Sequence, residues 1–453
     1  MELLALTGRA LSAVDTPDKH AIGDFKTWVI RNHAVIIPNF PTAVKSLTDV
    51  EFIESGQLPK ATKLANYKAA QRLEETQPTV NLARKFATFH SFPKHEKVDK
   101  MGLNGIEGNA KPRVIQACSP EATVSTGRWL KSFQRAIHKR LVGSILFAAG
   151  INGEQLSAWF DRESPSRSIF LEDDFTLYDT TFSRQFHEIV LWLYQRAGMK
   201  TDPWAWAIRN AQVSSKGVSR YGFHYHIDGT MRSGVADTCV ANSLLNMFSH
   251  LYVLHTLDAK ETIHSLLSKV SMALMGDDNI MMLDSSLVVT GMAESLRLLG
   301  LKAKLVRRDT ARELIFLNVR PYPVAQGRTR FAPLIGRLVT RLGYAAETQL
   351  KWGPYSKGVF QAFVESTAHV PMLSGFIQRQ CDLRPGRLSS VYREKLRRVH
   401  EYDLHYDTSF APTQQTCDFV SQIYGLTPKQ IGELDTLLRY FLSVSLFRYF
   451  GSI

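Results

Sequence analysis

The stretch ALMGDDNIMML, Ala273 to Leu283, places Asp277 and Asp278 side by side between two runs of apolar residues. Gly-Asp-Asp-Asn between apolar runs is typical of a β-hairpin and predicts strand, turn and strand. The two carboxylates then have two interpretations. They are solvated turn residues, or they bind a divalent cation, because adjacent carboxylates repel each other unless water or a cation such as Mg²⁺ or Mn²⁺ screens them.

The composition indicates a globular, basic chain. With 453 residues, 44% of them hydrophobic, the chain can hold two or three domains or one large multi-lobed one. Its 55 Lys and Arg against 42 Asp and Glu give a net charge of +13, which suggests a polyanionic partner such as nucleic acid or an anionic membrane surface. The four cysteines are far apart and form no Cys-x-x-Cys pair, so we interpret them as reduced thiols.

The sequence gives no sign of separate modules or of a membrane anchor. We find no internal repeat and no Gly/Ser-rich linker, so we expect one continuous architecture. Glu2 stands where a signal peptide carries positive charge, and no apolar run reaches the roughly 18 residues of a spanning helix. We therefore expect membrane contact only peripherally or through a partner.

The order of patterns from Ser166 onwards predicts the fold class. Strand, helix, helix, hairpin, helix and strand follow one another, with a last strand in ELIFLNV, Glu313 to Val319. A helical and basic stretch, TGRWLKSFQRAIHKRLVGSILFAAG, precedes them. This order predicts an α+β fold in which a small antiparallel sheet is covered by helices.

A second acidic pair lies about a hundred residues before the hairpin. Asp174 and Asp179 occur in DFTLYD, with Asp174 at the expected end of a strand. Asp174 could share two cations with Asp277, because metals roughly 3.5 to 4 Å apart stabilise the attacking and leaving oxygens of phosphoryl transfer. The alternative is that Asp174 caps the following turn.

The stretch SGVADTCVAN combines a Ser-Gly turn with a polar stripe on a helix. Thr238 and Asn242 lie one turn apart on one face, after Ser233 and Gly234. An ordinary N-cap would explain Ser233, but not an Asn inside such an apolar helix, where a buried amide needs a partner. We expect the Asn242 amide to reach Asp179 and a ribose hydroxyl.

These motifs, in this order, resemble those of a known family. DFTLYD, SGVADTCVAN and GDD resemble motifs A, B and C of viral RNA-dependent RNA polymerases. Upstream, FPKHEK and KPRVIQ resemble the basic motif F of positive-strand RNA viruses, especially tombusvirus-like and nodavirus-like ones. LGLKAK is similar to motif D and FLNV to the start of motif E. The resemblance covers about residues 90 to 320, and the ordered set is far more specific than any one motif.

The resemblance implies a right-hand polymerase fold with fingers, palm and thumb. Its expected divisions are an N-terminal extension with fingers (1–167), palm with motif A (168–183), a fingers insertion (184–228), palm with motifs B to E (229–323) and thumb (324–453). The implied activity is template-directed RNA synthesis from RNA for viral genome replication and transcription. It would proceed by two-metal nucleotidyl transfer from ribonucleoside triphosphates, with release of pyrophosphate.

The resemblance also assigns the catalytic residues. Asp174 and Asp277 would be the principal ligands of two Mg²⁺ ions, for which Mn²⁺ could substitute, and Asp278 would assist near the second ion. Lys304 would be the general acid that protonates the leaving pyrophosphate. Lys302 lies two residues away on the same face of an extended segment, so the choice between the two lysines stays open.

Basic residues of motif F would bind the nucleotide and the RNA. Arg113, with Lys111 nearby, would bind the triphosphate, since a guanidinium can contact phosphate oxygens bidentately. A solvated basic loop is the alternative for these two residues. Lys94 and Lys97 would line the entry for template or nucleotide, although ordinary surface charge explains them almost as well.

The remaining predicted residues concern the sugar. Asp179, Thr238 and Asn242 would recognise the ribose 2′-hydroxyl, the group that distinguishes RNA precursors from DNA precursors. Ser233 and Gly234 complete this nucleotide-binding set. A reverse transcriptase is disfavoured because its corresponding motif A position usually carries a bulky aromatic residue where this chain has Asp179.

Two other functions stay open at this point, a reverse transcriptase and a non-catalytic RNA-binding replication factor with a palm-like fold. The expected partners are the RNA template, the product duplex, ribonucleoside triphosphates and other viral or host replication proteins. The expected location is the host-cell cytoplasm, in a replication complex. His224 and His226 have no third ligand at helpful spacing, so we interpret them as surface or loop-packing residues.

Overall fold

The structure, a computed structural model, describes residues 6–7, 11, 16–56, 58–94, 113–342, 352–384, 386–388 and 411–441. Its α-helices are α1 (Lys19–Ile36), α2 (Asp49–Glu54), α3 (Lys60–Glu74), α4 (Val80–Phe86), α5 (Pro120–His138), α6 (Gly153–Glu163), α7 (Tyr178–Thr181), α8 (Arg184–Arg196), α9 (Pro203–Ala211), α10 (Thr238–Leu257), α11 (Ile263–Lys269), α12 (Met292–Leu298), α13 (Ile335–Arg341), α14 (Trp352–Gln361), α15 (Val364–Thr367), α16 (Leu373–Asp382), α17 (Gln414–Tyr424) and α18 (Pro428–Phe441). Its strands are β1 (Phe89–Pro93), β2 (Val114–Ala117), β3 (Ile145–Phe147), β4 (Ile169–Phe175), β5 (Ser214–Ser219), β6 (His224–Asp228), β7 (Val270–Met275), β8 (Asp278–Leu283), β9 (Ala303–Arg308), β10 (Val319–Pro323) and β11 (Thr329–Pro333).

The predicted hairpin is present as β7 and β8. The strands are antiparallel, and Met275 pairs with Asp278, so that Gly276 and Asp277 form a two-residue loop. Gly276 has φ +69°, a conformation that glycine adopts without the steric penalty of a side chain. The glycine of the motif therefore allows the tight turn, which places Asp277 in the loop and Asp278 at the first position of β8.

The hairpin belongs to a five-stranded sheet with the order β3-β7-β8-β4-β9. Nearly every residue of β7 and β8 is buried, which explains why their sequences are continuously apolar instead of alternating. The helix α10 is similarly enclosed, with fourteen of its twenty residues buried. The helix is therefore apolar on more than one face, and Asn242 lies inside it as predicted.

A second sheet has the order β2-β1-β5-β6. β1 pairs antiparallel with β2 and parallel with β5, and β5 pairs antiparallel with β6. In β1 and β5 buried residues alternate with more exposed ones, as expected for a sheet with one face packed on the protein and the other towards solvent.

The chain divides into two compact units. Unit 1 consists of Met1–Ala149 and Asp173–Val306, and unit 2 of Gly150–Glu172 and Arg307–Ile453. These units do not follow the predicted boundaries at residues 167, 183, 228 and 323, because Gly150–Glu172 groups with the C-terminal part. The division into fingers, palm and thumb stays a prediction.

Unit 2 is built around a β-hairpin and helices. β10 and β11 pair antiparallel, and α6 packs on β11 with the rings of Phe160 and Phe331 edge to face at 5.5 Å. Arg330 of β11 forms an ion pair of 2.6 Å with Glu154 of α6. Buried side chains of α13, α14, α16, α17 and α18 form an apolar core around Tyr322.

Two sequence predictions are wrong in detail. The segment Glu313 to Val319 is not one strand, because Leu317 and Asn318 both have positive φ (+52° and +63°) and reverse the chain. Phe316 and Val319 exchange both backbone hydrogen bonds across this turn, and β10 begins only at Val319. The basic helical stretch also ends earlier than predicted, at His138, and its ILF segment is the strand β3, parallel to β7.

Within the residues that the structure describes, none of the helices combines the length and apolar character needed to cross a membrane.

A buried ion pair in unit 1 gives a test of the fold. Arg209 Nε donates to Asp237 Oδ2 at 2.8 Å, both side chains are almost fully buried, and the Tyr194 hydroxyl donates to the same oxygen. Asp237→Ala would leave the guanidinium buried without its carboxylate, so we expect urea unfolding to show a loss of about 3 to 5 kcal/mol in the free energy of unfolding. The control is Glu188→Ala, which removes the half-exposed pair with Lys26 and should lose less than about 1 kcal/mol. Equal losses for the two variants would contradict the buried pair.

Candidate functional site

Residues from distant parts of the sequence line one cavity of about 630 Å³ in unit 1. The strand ends of β1 and β2, the segment after β4, the loop before α10, the turn of the hairpin and the start of β9 all contribute to it. Seven of the predicted site residues line this cavity: Lys94, Arg113, Asp174, Asp179, Ser233, Asp277 and Lys304. The structure therefore brings Asp174 and Asp277 to the same site, as the sequence predicted.

The other predicted residues that the structure describes do not line the cavity. Asp278, Gly234, Thr238 and Asn242 are not among the lining residues. Lys97 and Lys111 lie outside the described residues. Of the two lysines considered as general acid, Lys304 lines the cavity with the aspartates and Lys302 does not. The role of Lys304 stays a prediction.

The aspartates at the hairpin are held in an unfavourable electrostatic environment. The Asp277 side chain reaches solvent at the cavity yet is largely surrounded by protein, and this burial, together with the charge of Asp174, raises its pKa. Burial, and then the charges of Asp277 and Asp174, raise the pKa of Asp278 to about 6. The positive charge of Arg113 acts in the opposite direction on both aspartates. The site concentrates negative charge that a cation or a cationic side chain would compensate.

The donor set fits a cation that is shared with a substrate. In the described parts of the chain, no group of three or more His, Cys, Asp or Glu side chains is placed to hold a metal ion by itself. Mg²⁺ is usually bound through one or two carboxylates together with water and substrate phosphates, rather than in an all-protein cage. Asp174 and Asp277 at one cavity provide two such carboxylates.

The helix α10 fixes the hairpin turn through its side chains. Ser243 Oγ accepts a hydrogen bond from the Gly276 N–H at 2.8 Å. Asn246 Nδ2 donates to the carbonyl oxygens of Gly276 and Asp277, each at 3.1 Å. Asn279 Nδ2 in turn donates to Asn246 Oδ1 at 3.0 Å. Asn279, the residue after GDD, therefore strengthens the attachment of the turn to α10.

A buried acid and imidazole join the same helix to two more strands. His250 Nε2 lies 2.9 Å from Asp173 Oδ2, an ion-pair distance, and both side chains are fully buried. His250 Nδ1 is 2.8 Å from the carbonyl oxygen of Asn246. The other oxygen of Asp173 accepts the backbone N–H of Lys304 at 3.1 Å. Asp173 therefore links α10 to the start of β9, from which Lys304 reaches the cavity.

Sequence reasoning missed Asp173, Asn246 and His250, although a signal was present. Thr238, Asn242, Asn246 and His250 recur every four residues along an otherwise apolar helix, which places them on one face. Along β4, Asp173 is buried and Asp174 exposed, as the alternation of a strand requires. Only the second of these neighbouring acids is directed to the cavity.

The predicted contact between Asn242 and Asp179 is confirmed. Asn242 Nδ2 donates to Asp179 Oδ1 at 2.8 Å, and the Tyr178 hydroxyl donates to the Asn242 carbonyl oxygen at 3.2 Å. The Thr238 hydroxyl instead donates to the carbonyl oxygens of Arg232 and Val235, at 2.9 and 3.0 Å. In this structure Thr238 stabilises the loop before α10, and a contact with the ribose stays a prediction.

The Ser-Gly turn packs against β2. Ser233 Oγ donates to the carbonyl oxygen of Val114 at 3.2 Å and accepts from the Gln116 N–H at 3.4 Å. A Cβ atom at Gly234 would lie 2.1 Å from the carbonyl oxygen of Gln116, so only glycine fits there. The N-cap alternative for Ser233 is wrong, because α10 begins at Thr238.

Comparison with known proteins identifies a family. Residues 65–328 match the sequence model of the family described as viral RNA-dependent RNA polymerase. The match covers more than half of the chain and includes every residue that lines the cavity. No curated protein matches the chain. Members of this family use divalent metal ions, an RNA template and nucleotide substrates.

The raised pKa of Asp278 predicts a pH dependence of stability. An aspartate in the unfolded chain titrates near about 3.9, whereas the folded value is about 6, so the folded protein binds more protons between these values. The contribution of Asp278 to the free energy of unfolding therefore falls as the pH rises from about 4 to about 6. Asp278→Asn removes this titration. In urea unfolding with EDTA, we expect the variant to gain stability relative to the wild type through this range and to keep the gain at pH 7. A difference that shrinks with rising pH would contradict the unfavourable placement of this carboxylate.

Proposed function

Because the chain belongs to the viral RNA-dependent RNA polymerase family, we propose that the cavity lined by Asp174 and Asp277 is the active site at which it synthesises RNA on an RNA template. The observation that carries the proposal is the meeting of these two carboxylates, about a hundred residues apart in sequence, at one cavity with Arg113 and Lys304. Carboxylates and cationic side chains around one cavity suit a substrate that carries both a triphosphate and bound cations.

The chemistry proposed for this site is nucleotidyl transfer. Two divalent cations, Mg²⁺ or in its place Mn²⁺, held by Asp174 and Asp277 with support from Asp278, would stabilise the charge on the attacking and leaving oxygens. The 3′-hydroxyl of the growing RNA attacks the α-phosphorus of a ribonucleoside triphosphate, and pyrophosphate leaves.

Side chains of the cavity bind and orient the reactants. Arg113 contacts oxygens of the triphosphate, and its charge already acts on Asp277 and Asp278. Lys304 donates a proton to the pyrophosphate as it leaves. Its backbone is held by Asp173, which limits the positions that the ammonium group can reach. Lys94 and Lys97 would contact the template, and Lys111 would bind the triphosphate together with Arg113.

The sugar is selected by Asp179. Its carboxylate, oriented by Asn242, accepts a hydrogen bond from the ribose 2′-hydroxyl, which a deoxyribose lacks. Ser233, which lines the same cavity, and Gly234 would complete the nucleotide-binding set. This selection favours an RNA polymerase over a reverse transcriptase.

We further propose that the five-stranded sheet is the palm of a right-hand polymerase and that the helices α13 to α18 belong to the thumb. The enzyme would replicate and transcribe the genome of a positive-strand RNA virus, in a replication complex in the host cytoplasm. Its partners there would be the template, the product duplex, ribonucleoside triphosphates and other replication proteins.

Primer extension tests the metal ligands. On an RNA template with Mg²⁺, we expect Asp277→Ala to lower the rate of extension by about a thousandfold or more, because stabilisation worth several kcal/mol is lost. Asp24→Ala, which removes an exposed aspartate of α1, is the matched control and should extend like the wild type. Equal extension by both variants would contradict a metal site at the hairpin. If the wild type binds RNA but never extends it, the non-catalytic RNA-binding factor becomes the better account.

Sugar selection gives a second test. Asn242→Ala removes the amide that donates to the Asp179 carboxylate, so we expect kcat/KM for ribonucleotides to fall about 10- to 100-fold, the effect of losing a hydrogen bond to a charged group. The value for deoxyribonucleotides should change much less. Asn210→Ala, which removes an amide that donates to a carbonyl within α9, is the control. A wild-type enzyme that prefers deoxyribonucleotides would instead indicate a reverse transcriptase.

A further inference from the structure

Unit 1 contains another cavity, of about 470 Å³, that shares no lining residue with the proposed active site. One wall is the loop after α1, from Asn39 to Lys45, and the other is α5, which contributes Ser132, Ala136 and Arg140. These α5 residues are spaced by four, so they lie on one face of the helix. Pockets for small molecules have volumes of about 300 to 1,000 Å³, and this cavity is therefore large enough for a small ligand. We call it the α5 cavity.

The charged side chains of the α5 cavity have one sign, unlike those of two other cavities of unit 1. Those cavities, of about 560 and 520 Å³, are lined by both basic and acidic residues. Their charged residues are Arg72, Glu75, Lys85 and Glu121 in the larger and Asp18, Glu294 and Arg297 in the smaller. The charged residues that line the α5 cavity are Lys45 and Arg140, and both are cations. The α5 cavity therefore suits an anion.

The sequence around the α5 cavity is depleted of acidic residues. No Asp or Glu occurs at positions 25 to 48, 122 to 153 or 189 to 201, although these three segments contain ten Lys and Arg. The structure brings the segments together, since the Val44 N–H donates to the Ala197 carbonyl oxygen at 2.9 Å and Trp129 Nε1 donates to the Val44 carbonyl oxygen at 3.2 Å. The positive charge is therefore a shared property of the segments that meet beside the cavity.

Helix ends compensate only part of this positive charge. α1, α5 and α8 end at Ile36, His138 and Arg196, and the carbonyl end of a helix carries about half a negative charge. Four cations lie close to these ends in the chain or across the Val44 contact: Lys45, Lys139, Arg140 and Arg196. Among the residues that the structure describes, no carboxylate forms an ion pair with any of the four. The three ends together offset about 1.5 of the four charges.

Neutral polar residues complete the lining of the α5 cavity. Asn39, Thr42 and Ser132 line it, and their side chains make no hydrogen bond within the described part of the chain. The guanidinium of Arg140 donates to the Ala136 carbonyl oxygen at 2.9 Å through Nη1 and has further N–H groups. Cationic groups bind phosphate, whereas amide and hydroxyl groups exchange hydrogen bonds with the hydroxyls of a polyol.

RNA suits the α5 cavity less well than a compact ligand does. Single-stranded RNA binds where bases stack on exposed aromatic rings. None of the exposed aromatic side chains in the described ranges lines this cavity. Its one ring, Phe40, is half-buried and packs edge to face against His33 at 5.1 Å.

We propose that the α5 cavity binds a phosphorylated polyol, with its phosphates on Lys45 and Arg140 and its hydroxyl groups on Asn39, Thr42 and Ser132. This chemistry is shared by a soluble inositol phosphate and by the headgroup of a phosphoinositide lipid. The site does not depend on the proposed polymerase activity.

Titration calorimetry of the full-length protein with inositol trisphosphate, without divalent ions, tests the cations. Each lost hydrogen bond to a phosphate lowers affinity by about tenfold or more, so Lys45→Ala with Arg140→Ala should weaken binding about 100-fold. Lys68→Ala with Lys260→Ala removes two exposed cations of unit 1, changes the net charge equally and should bind like the wild type. Equal affinities of the two double variants would overturn the proposal. Arg140→Lys keeps the charge and should bind more tightly than Arg140→Ala, an order that a folding defect at this position alone would not give.

The hydroxyl contacts have their own test. Thr42→Val with Ser132→Ala removes two hydroxyl groups without changing any charge, so we expect binding of inositol trisphosphate to weaken about tenfold. Inorganic triphosphate has no polyol hydroxyls, and its affinity should not change. Equal losses for the two ligands, or no loss for either, would overturn the assignment of a polyol.

Vesicle sedimentation distinguishes the two sources of the ligand. Binding to phosphatidylcholine vesicles that contain phosphatidylinositol bisphosphate, with loss in the Lys45 and Arg140 double variant, would support the lipid headgroup. Binding of inositol trisphosphate without binding to these vesicles would support a soluble ligand. Equal binding to phosphatidylserine vesicles of the same total charge would indicate a non-specific cationic surface and overturn the site.

RNA binding and primer extension separate this site from the proposed function. The Lys45 and Arg140 double variant should bind the RNA template and extend a primer like the wild type. A loss of RNA affinity parallel to the loss of inositol trisphosphate binding would assign the cavity to an RNA surface and overturn the proposal. Failure of the wild type to extend, with the ligand affinities as expected, would refute the polymerase site and support the α5 cavity as an independent site.

Discussion

The site depends on a row of polar side chains along one buried helix. Asn242, Asn246 and His250 lie one turn apart on the buried helix α10, and each contacts a different segment of the proposed active site. An unpaired buried polar group costs about 1 to 3 kcal/mol. The packing of the helix therefore fixes where Asp179, the hairpin turn and Asp173 lie relative to one another. The polar face of this otherwise apolar helix thus holds the parts of the site together.

The same arrangement holds like charges close together. Burial and mutual repulsion raise the pKa of Asp277 and Asp278, which shows that the folded chain keeps these carboxylates in place at the expense of stability. Positive charge placed next to a partly buried cluster of carboxylates reduces the repulsion between them. Arg113 provides part of that charge, and bound cations with a triphosphate would provide the rest. Substrate binding and stabilisation of the site would then be coupled.

Some features of the fold and the site could be predicted from the sequence because they depend on the local chemistry of a few neighbouring residues. Gly276 and its neighbours specify a tight turn, and a buried Asn242 requires a partner, which is Asp179. Other features depend on non-local packing. The role of Asp173 depends on its contact with His250 of α10, and the turn at Leu317 and Asn318 requires a positive φ at Leu317, which leucine rarely adopts.

The central claim is that Asp174 and Asp277 together hold the cations required for RNA synthesis. Anomalous diffraction from crystals containing Mn²⁺ and a ribonucleoside triphosphate tests it most directly. The account predicts two manganese peaks about 3.5 to 4 Å apart, in contact with both carboxylates and with the phosphates, and their loss in Asp277→Ala. Manganese bound away from these residues, or the same peaks retained in the variant, would contradict the account.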